Sequence, residues 1–220
     1  MTIALVSNIG AASSDGNTFT SGAIDTSGAD FLVMEIAEFY FFAESTISDS
    51  YGNTWTILPT YQTGTGPRMR IAFVENPTVG SGHTFTCTGT GIYASFAVAA
   101  FSGVSTTSPQ DQETGNNGGT VTSIQPGSIT PPENNELIIT GVGVGGLETL
   151  AIDSSFTITD DIPYALGMNY GSGLAYKIQT TAGAENPTWS WSASIDAVSA
   201  IASFKSPAVS TFIPKATWFL

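Results

Sequence analysis

The chain carries one histidine, His83, and one cysteine, Cys87. That pair limits the chemistry open to it. A structural zinc site asks for four Cys or His ligands, and these two cannot supply it. A Ser–His–Asp set needs a single histidine, but no G-x-S-x-G elbow is present and no spacing puts a serine and an aspartate beside His83. His83 therefore reads as a surface or strand-end histidine. Cys87 lies in TFTCTG, where it shares a strand face with Phe85; it reads as a small buried apolar residue. Paired carboxylates could hydrolyse glycosides. Glu35 and Glu38 are three apart, however, and on a strand they point to opposite faces, as do the adjacent Asp160 and Asp161. Glu113, Glu133 and Glu136 fall in or beside a loop region. The oxygen-rich turns ISDSYGN (47–53) and ITDDIP (158–163) lack calcium-loop spacing. An Asx turn accounts for Asp49 and Asn53 without a metal. GVGVGG (141–146) is not a dinucleotide loop, since no helix pattern follows it. The expectation is a protein with no catalytic residues, no metal and no cofactor, and not an enzyme.

Aromatic side chains are the remaining candidates. Tyr51, Trp55, Tyr61, Tyr164, Tyr170, Trp189 and Trp191 could stack on sugars. Strand-borne tryptophans are more often core. Tyr164, Met168 and Tyr170 stand in DDIPYALGMNYGSG, which reads as a loop, so Tyr164 and Tyr170 are the candidates for glycan contact.

The elements that must position these residues are strands. Short runs alternate with period two: NTWTIL (53–58), RMRIAFV (68–74), HTFTCTG (83–89), GLAYKI (173–178) and PTWSWSAS (187–194). FLVMEIAEFYFFAE (31–44) reads as strand rather than helix, because Phe, Val, Ile and Tyr dominate it. YASFAVAAF (93–101) and DAVSAIASF (196–204) alternate less and read as central strands packed on both faces. Gly, Pro and Asn turns punctuate the runs, as in a sandwich or barrel.

The chain is also written twice. Ile71 falls on Leu174, Phe73 on Tyr176, Phe85 on Trp189 and Phe101 on Phe204, a displacement of 103 or 104 positions throughout. ADFLVMEIA (29–37) resembles NELIITGVG (135–143) more weakly. The predicted fold is an all-β, jelly-roll-like antiparallel sandwich of two similar halves, 29–103 and 135–206, sharing one core as a single domain over 1–206. A polar loop over 104–134 joins the halves, and VTSIQPGSIT within it adds at most a short strand. An extended tail, 207–220, follows. Its Pro207 and Pro214 exclude a helix and a central strand, yet it carries Phe212, Ile213, Trp218, Phe219 and Leu220.

Composition excludes several partners. Net charge is −13, with five basic residues, Arg68, Arg70, Lys177, Lys205 and Lys215. Nucleic-acid binding relies on clustered cations that displace phosphate counterions, so none is expected. Anionic lipid is excluded on the same ground, and no apolar run reaches the roughly 18 residues of a membrane span. Charged residues make up 10% of the chain, against roughly 25% in ordinary soluble domains. The surface is therefore Thr, Ser, Gly and Asn. No secretory signal is read in MTIALVSNIG, so synthesis in a cytoplasm without export is expected.

ISDSYGNTWTIL, RMRIAFVENP, YASFAVAAFSGVS and NNELIITGVG, in that order, resemble a jelly-roll module of bacterial surface proteins and tailed-phage virion proteins. The resemblance covers about 30–206. It implies a fold and no catalytic residues. A compact, unexported, acidic sandwich of this kind resembles a capsid decoration, or cement, protein. That resemblance implies a virion localisation on the capsid exterior, the major capsid protein as partner, and a homo-oligomer, most simply a trimer. Phe212, Ile213, Trp218, Phe219 and Leu220 are then the expected partner anchors, because large apolar side chains dominate interface energy. The alternative is a carbohydrate- or receptor-binding module, such as a tail-fibre head, acting through Tyr164 and Tyr170.

Overall fold

The computed structural model describes residues 2–64 and 66–208, and the tail anchors named above lie outside them. The described residues form an all-β sandwich of fifteen strands. The first half holds β1 (Ala4–Ala12), β2 (Phe19–Thr20), β3 (Phe31–Phe39), β4 (Thr46–Asp49), β5 (Thr56–Ile57), β6 (Tyr61–Gln62), β7 (Pro67–Glu75), β8 (Phe85–Thr88) and β9 (Ser95–Ser102). The second holds β10 (Gln110–Ile124), β11 (Glu136–Val144), β12 (Ala151–Ile152), β13 (Thr157–Ile162), β14 (Gly171–Gln179) and β15 (Trp189–Phe204).

Each half builds its own large antiparallel sheet. The first is ordered β1-β9-β3-β7-β5, with β6 also on β7; the second is β10-β15-β11-β14-β13, with β12 on β15. The five strands on each path correspond in order, whereas β6 and β12 pair with non-equivalent strands. The registers correspond too: Phe31 pairs with Phe101 where Leu137 pairs with Phe204, and Val33 pairs with Phe73 where Ile139 pairs with Tyr176. The displacement read along the sequence is thus a duplication of the sheet. A third sheet, β2-β8-β4, covers the outer face of the first. With β5 and β6 counted as one bent strand, the large sheet of the first half runs 1-8-3-6-5 and the small one 2-7-4, so the fifth strand joins the large sheet.

Three apolar layers hold this stack together. The middle one lies between the large sheets and contains Phe31, Ile71, Phe73, Phe101, Leu174 and Phe204. One outer layer, with Leu32, Met34, Phe85 and Phe96, lies under the small sheet. The other, with Ile138, Val142, Trp189 and Trp191, lies behind the second large sheet. The middle layer is shared by both halves, and the reason for the two further layers is visible in the central strands. Residues 31–38 of β3 and the whole of β11 are buried on both faces, so alternate side chains feed different layers. The interior is dense enough to need glycines where backbones approach: a Cβ on Gly103 would sit in the Thr2 carbonyl.

The segment 104–134 differs from the expected loop. It contains β10, fifteen residues long, paired along β15. Its sequence, QDQETGNNGGTVTSI, hides it because an edge strand over a half-covered face needs few apolar residues. His83 also departs from expectation. It is fully buried rather than at the surface.

Candidate functional site

His83 sits in a knot that local spacing could not reveal. The Ile24–His83 bridge and the β4–β8 pairing bring three distant segments together. Thr26 Oγ1 lies 3.0 Å from His83 Nδ1, and Asp49 Oδ1 lies 3.2 Å from His83 Nε2, out of line for a well-formed hydrogen bond. The imidazole is stacked on Phe85, with a centroid separation of 4.4 Å, and Tyr51 meets it edge-on. Hydroxyl, imidazole and carboxylate thus occur in the order of a catalytic triad. Thr26 is fully buried, however, and its hydroxyl is bracketed by the Gly80 carbonyl and amide, so no substrate reaches it. Asp49 accepts from the amides of Tyr51 and Asn53 and from Trp55 Nε1 (2.8 Å), which makes it the centre of the DSYGN turn.

The carboxylates diverge as their spacing predicts. Glu35 points into the middle layer, and Glu38 points to the opposite face of β3, where Arg68 Nε donates to it at 2.9 Å. Burial pushes the Glu35 carboxyl well above the usual carboxylate range; the Ser172 hydroxyl relieves it only in part, and neither oxygen makes a hydrogen bond of good geometry. Asp160 accepts from Asn8 Nδ2 and Asp161 from the Leu150 amide. Among the described residues no three His, Cys, Asp or Glu side chains gather as a metal site would require. Cys87 is buried, and its thiol is pushed up to about 12 by burial first of all.

At one end of the sandwich a group of aromatic side chains meets solvent together. Phe39 closes β3, and the turn after it carries Tyr40, Phe41 and Phe42. The loop before β14 brings Tyr164, Leu166, Met168 and Tyr170 alongside. Phe39 and Tyr170 stack at 5.8 Å and 13°, Tyr93 meets Phe39 edge-on at 6.1 Å, and Tyr164 meets Tyr170 at 5.9 Å. Together they line a cleft of about 370 Å³. Its rim is openly apolar: Phe41 is 70% exposed, Leu166 84% and Met168 47%. Contiguous exposed apolar surface on a soluble protein marks a binding site more often than chance.

Polar groups below the rim fix both lips. Arg68 Nη1 donates to the carbonyls of Tyr40 and Phe42, and Arg70 binds Glu44 and the Ser45 backbone and hydroxyl. Asn169, nearly buried, gives its amide nitrogen to the carbonyls of Pro163 and Tyr170. The Tyr170 amide donates to the Tyr93 carbonyl (2.8 Å), which ties the second half to the first across the cleft floor. Tyr93 itself has φ +45°, a left-handed conformation that costs a bulky residue roughly 1–3 kcal/mol. Burial, then the neighbouring Tyr164, Asp196 and Tyr40, push the Tyr170 phenol up to about 12.

Of the residues expected from sequence, Tyr164 and Tyr170 are brought together here. Trp189 and Trp191 are core, and Trp55 is partly buried at its turn. Phe39, Phe42 and Tyr93 were missed. The run FYFF over 39–42 was the available signal, since four successive aromatics cannot all face one core.

No known protein family matches the sequence, and no curated protein matches it. Among solved structures, a match is found to A223, a turret protein in Sulfolobus turreted icosahedral virus. It is 16% identical, covers 94% of this chain and 100% of that one, and has a TM-score of 0.17, too low to carry an argument about fold or function.

Proposed function

We propose that this protein is a non-catalytic docking module of a tailed-phage virion, a decoration protein that seats on the outside of the head against the major capsid protein. The observation that carries the reading is the rigidly held apolar end of the sandwich, with Phe41, Phe42, Leu166 and Met168 exposed around an aromatic cleft. Such a surface contributes binding energy by burial, at about 25 cal/mol per Å² of apolar area. It needs no reactive group. The small share of charged residues, 10%, and the tightly layered sheets suit a protein whose task is to persist on a particle surface. The expected anchors Phe212, Ile213, Trp218, Phe219 and Leu220 extend the same proposal to the segment beyond Ala208, and assembly as a trimer on the capsid belongs to it as well.

The reading is tested by mixing purified protein with DNA-filled heads lacking it and following co-sedimentation. Phe42→Ser with Met168→Ser should weaken uptake at least tenfold while leaving the unfolding temperature within a few degrees. Unchanged uptake would remove the aromatic end from the docking surface.

A second reading, recognition of a surface glycan, is favoured by the phenol hydroxyls of Tyr93, Tyr164 and Tyr170 at the cleft. On that reading Tyr164→Ala abolishes binding to immobilised glycans while co-sedimentation with heads is unaffected.

A further inference from the structure

Five of the eight residues lining the cleft are aromatic: Phe39, Phe42, Tyr93, Tyr164 and Tyr170. The remaining three are Gly167, Met168 and Asn169. Aromatic rings carry partial negative charge on their faces, and a cleft lined mainly by aromatic side chains attracts a cation. No basic residue of the described chain satisfies this cleft. Arg68 lies beneath the turn, bound to Glu38 and to the carbonyls of Tyr40 and Phe42, with its Nη2 buried and without a partner. Arg70 binds Glu44 and Ser45, and Lys177 binds Glu185. Lys205 lies at the opposite end, just past Phe204, where its backbone pairs with Pro109.

Three further observations point the same way. Asp196 Cβ and the Tyr170 ring both border the space beside Gly145, and the negative charge of Asp196, whose carboxylate accepts from Thr120, helps to push the Tyr170 phenol up. The molecule as a whole carries a net charge of −13, which draws cationic partners over distance. Polar groups for sugar hydroxyls are limited to the phenols of Tyr93, Tyr164 and Tyr170, because the Asn169 amide nitrogen is already committed to two backbone carbonyls. The strained Tyr93 and the cross-tie from Tyr170 hold the walls in place before any ligand arrives, which lowers the entropic cost of binding. At about 370 Å³ the cleft is near the lower limit of ordinary ligand pockets, roughly 300–1,000 Å³. That size suits one long side chain rather than a helix or strand.

We propose that this cleft receives a lysine or arginine side chain presented by the protein on which the molecule docks. The inference rests on the docking reading above and names the group that the cleft recognises. The aromatic walls would hold the charged head while Phe41, Phe42 and Leu166 cover the surface around it.

The experiment titrates the full chain with a short alanine–glycine peptide holding one central lysine, with the same peptide acetylated at that lysine, and with tetramethylammonium chloride. Ring resonances of Tyr93, Tyr164 and Tyr170 report binding. The lysine peptide should shift them, acetylation should weaken it at least tenfold, and Tyr164→Leu should do the same with little change in thermal stability. Equal binding of the acetylated peptide would overturn the proposal and leave a merely apolar groove. Binding of tetramethylammonium without the lysine peptide, of a hexose at the same resonances, or of no probe at millimolar concentration would overturn it too. If the probes fail while Phe42→Ser with Met168→Ser still loses head binding, docking stands and the cationic anchor falls. If the lysine peptide binds and the heads take up no protein, the docking reading falls instead.

Discussion

Glu35 and Gly141 hold equivalent positions in the two halves and meet face to face at the centre of the molecule. Glu35 pairs with Ile71 in the first sheet as Gly141 pairs with Leu174 in the second. A Cβ added to Gly141 would overlap Glu35 Cγ and stand 2.8 Å from Met69 Cε. The duplication thus breaks its symmetry where the two sheets press together. One half gives up its side chain there, and the other fills the space with a carboxyl that has no good partner.

Replacing Gly141 by Ala therefore overpacks the interface. The expected cost is about 1–3 kcal/mol, or a fall of roughly 3–10 °C in Tm for a chain of this size. Glu35→Ala should recover most of that loss in the double variant, because the two residues share one space. Additive losses in a thermal double-mutant cycle would contradict the contact.

Glu35 also gives stability a pH dependence of defined sign. Its folded pKa is raised, so the folded state holds a proton that the unfolded chain releases. The contribution is complete below the ordinary carboxylate pKa of about 4.3 and is lost as pH rises from there toward the raised folded value. Glu35→Gln removes the titration while keeping the shape. Its Tm should fall less than that of the unaltered protein between pH 5 and pH 8, on the order of the interval over which Glu35 is held neutral. Parallel curves would show that Glu35 does not titrate differently in the two states.

Arg68 supports the aromatic end from beneath. Arg68→Ala leaves the fully buried Glu38 with Arg70, 3.4 Å away, and the Ser45 amide, and releases the carbonyls of Tyr40 and Phe42. The expected cost is about 3 kcal/mol by chemical denaturation. Amide exchange over residues 40–45 should accelerate well beyond the global change. A loss of less than about 1 kcal/mol would mean that the pair does not hold this turn.

Much of this was legible in the sequence, for identifiable reasons. Alternation marked β7, β8 and β14, and the unbroken apolar runs marked β9 and the inner part of β15 as doubly buried. The fixed displacement marked the duplication, because two sheets facing each other impose the same register demands on Ile71 and Leu174 or Phe101 and Phe204. The divergence of Glu35 and Glu38 followed from strand geometry alone. β10 was hidden by its polar, glycine-containing sequence. The Thr26–His83–Asp49 knot was hidden because its members come from three segments joined only by tertiary pairing. The aromatic cleft was half visible: Tyr164 and Tyr170 stood out in a loop, but Phe39, Phe42 and Tyr93 join them only when the two large sheets pack face to face.

The central claim is that the protein belongs to a particle surface in quantity. Its most direct test is to band DNA-filled particles from the source culture on a density gradient and count this chain against the major capsid protein by mass spectrometry. The account predicts copy numbers in the hundreds, in fixed ratio to the capsid protein. Absence from purified particles would contradict it.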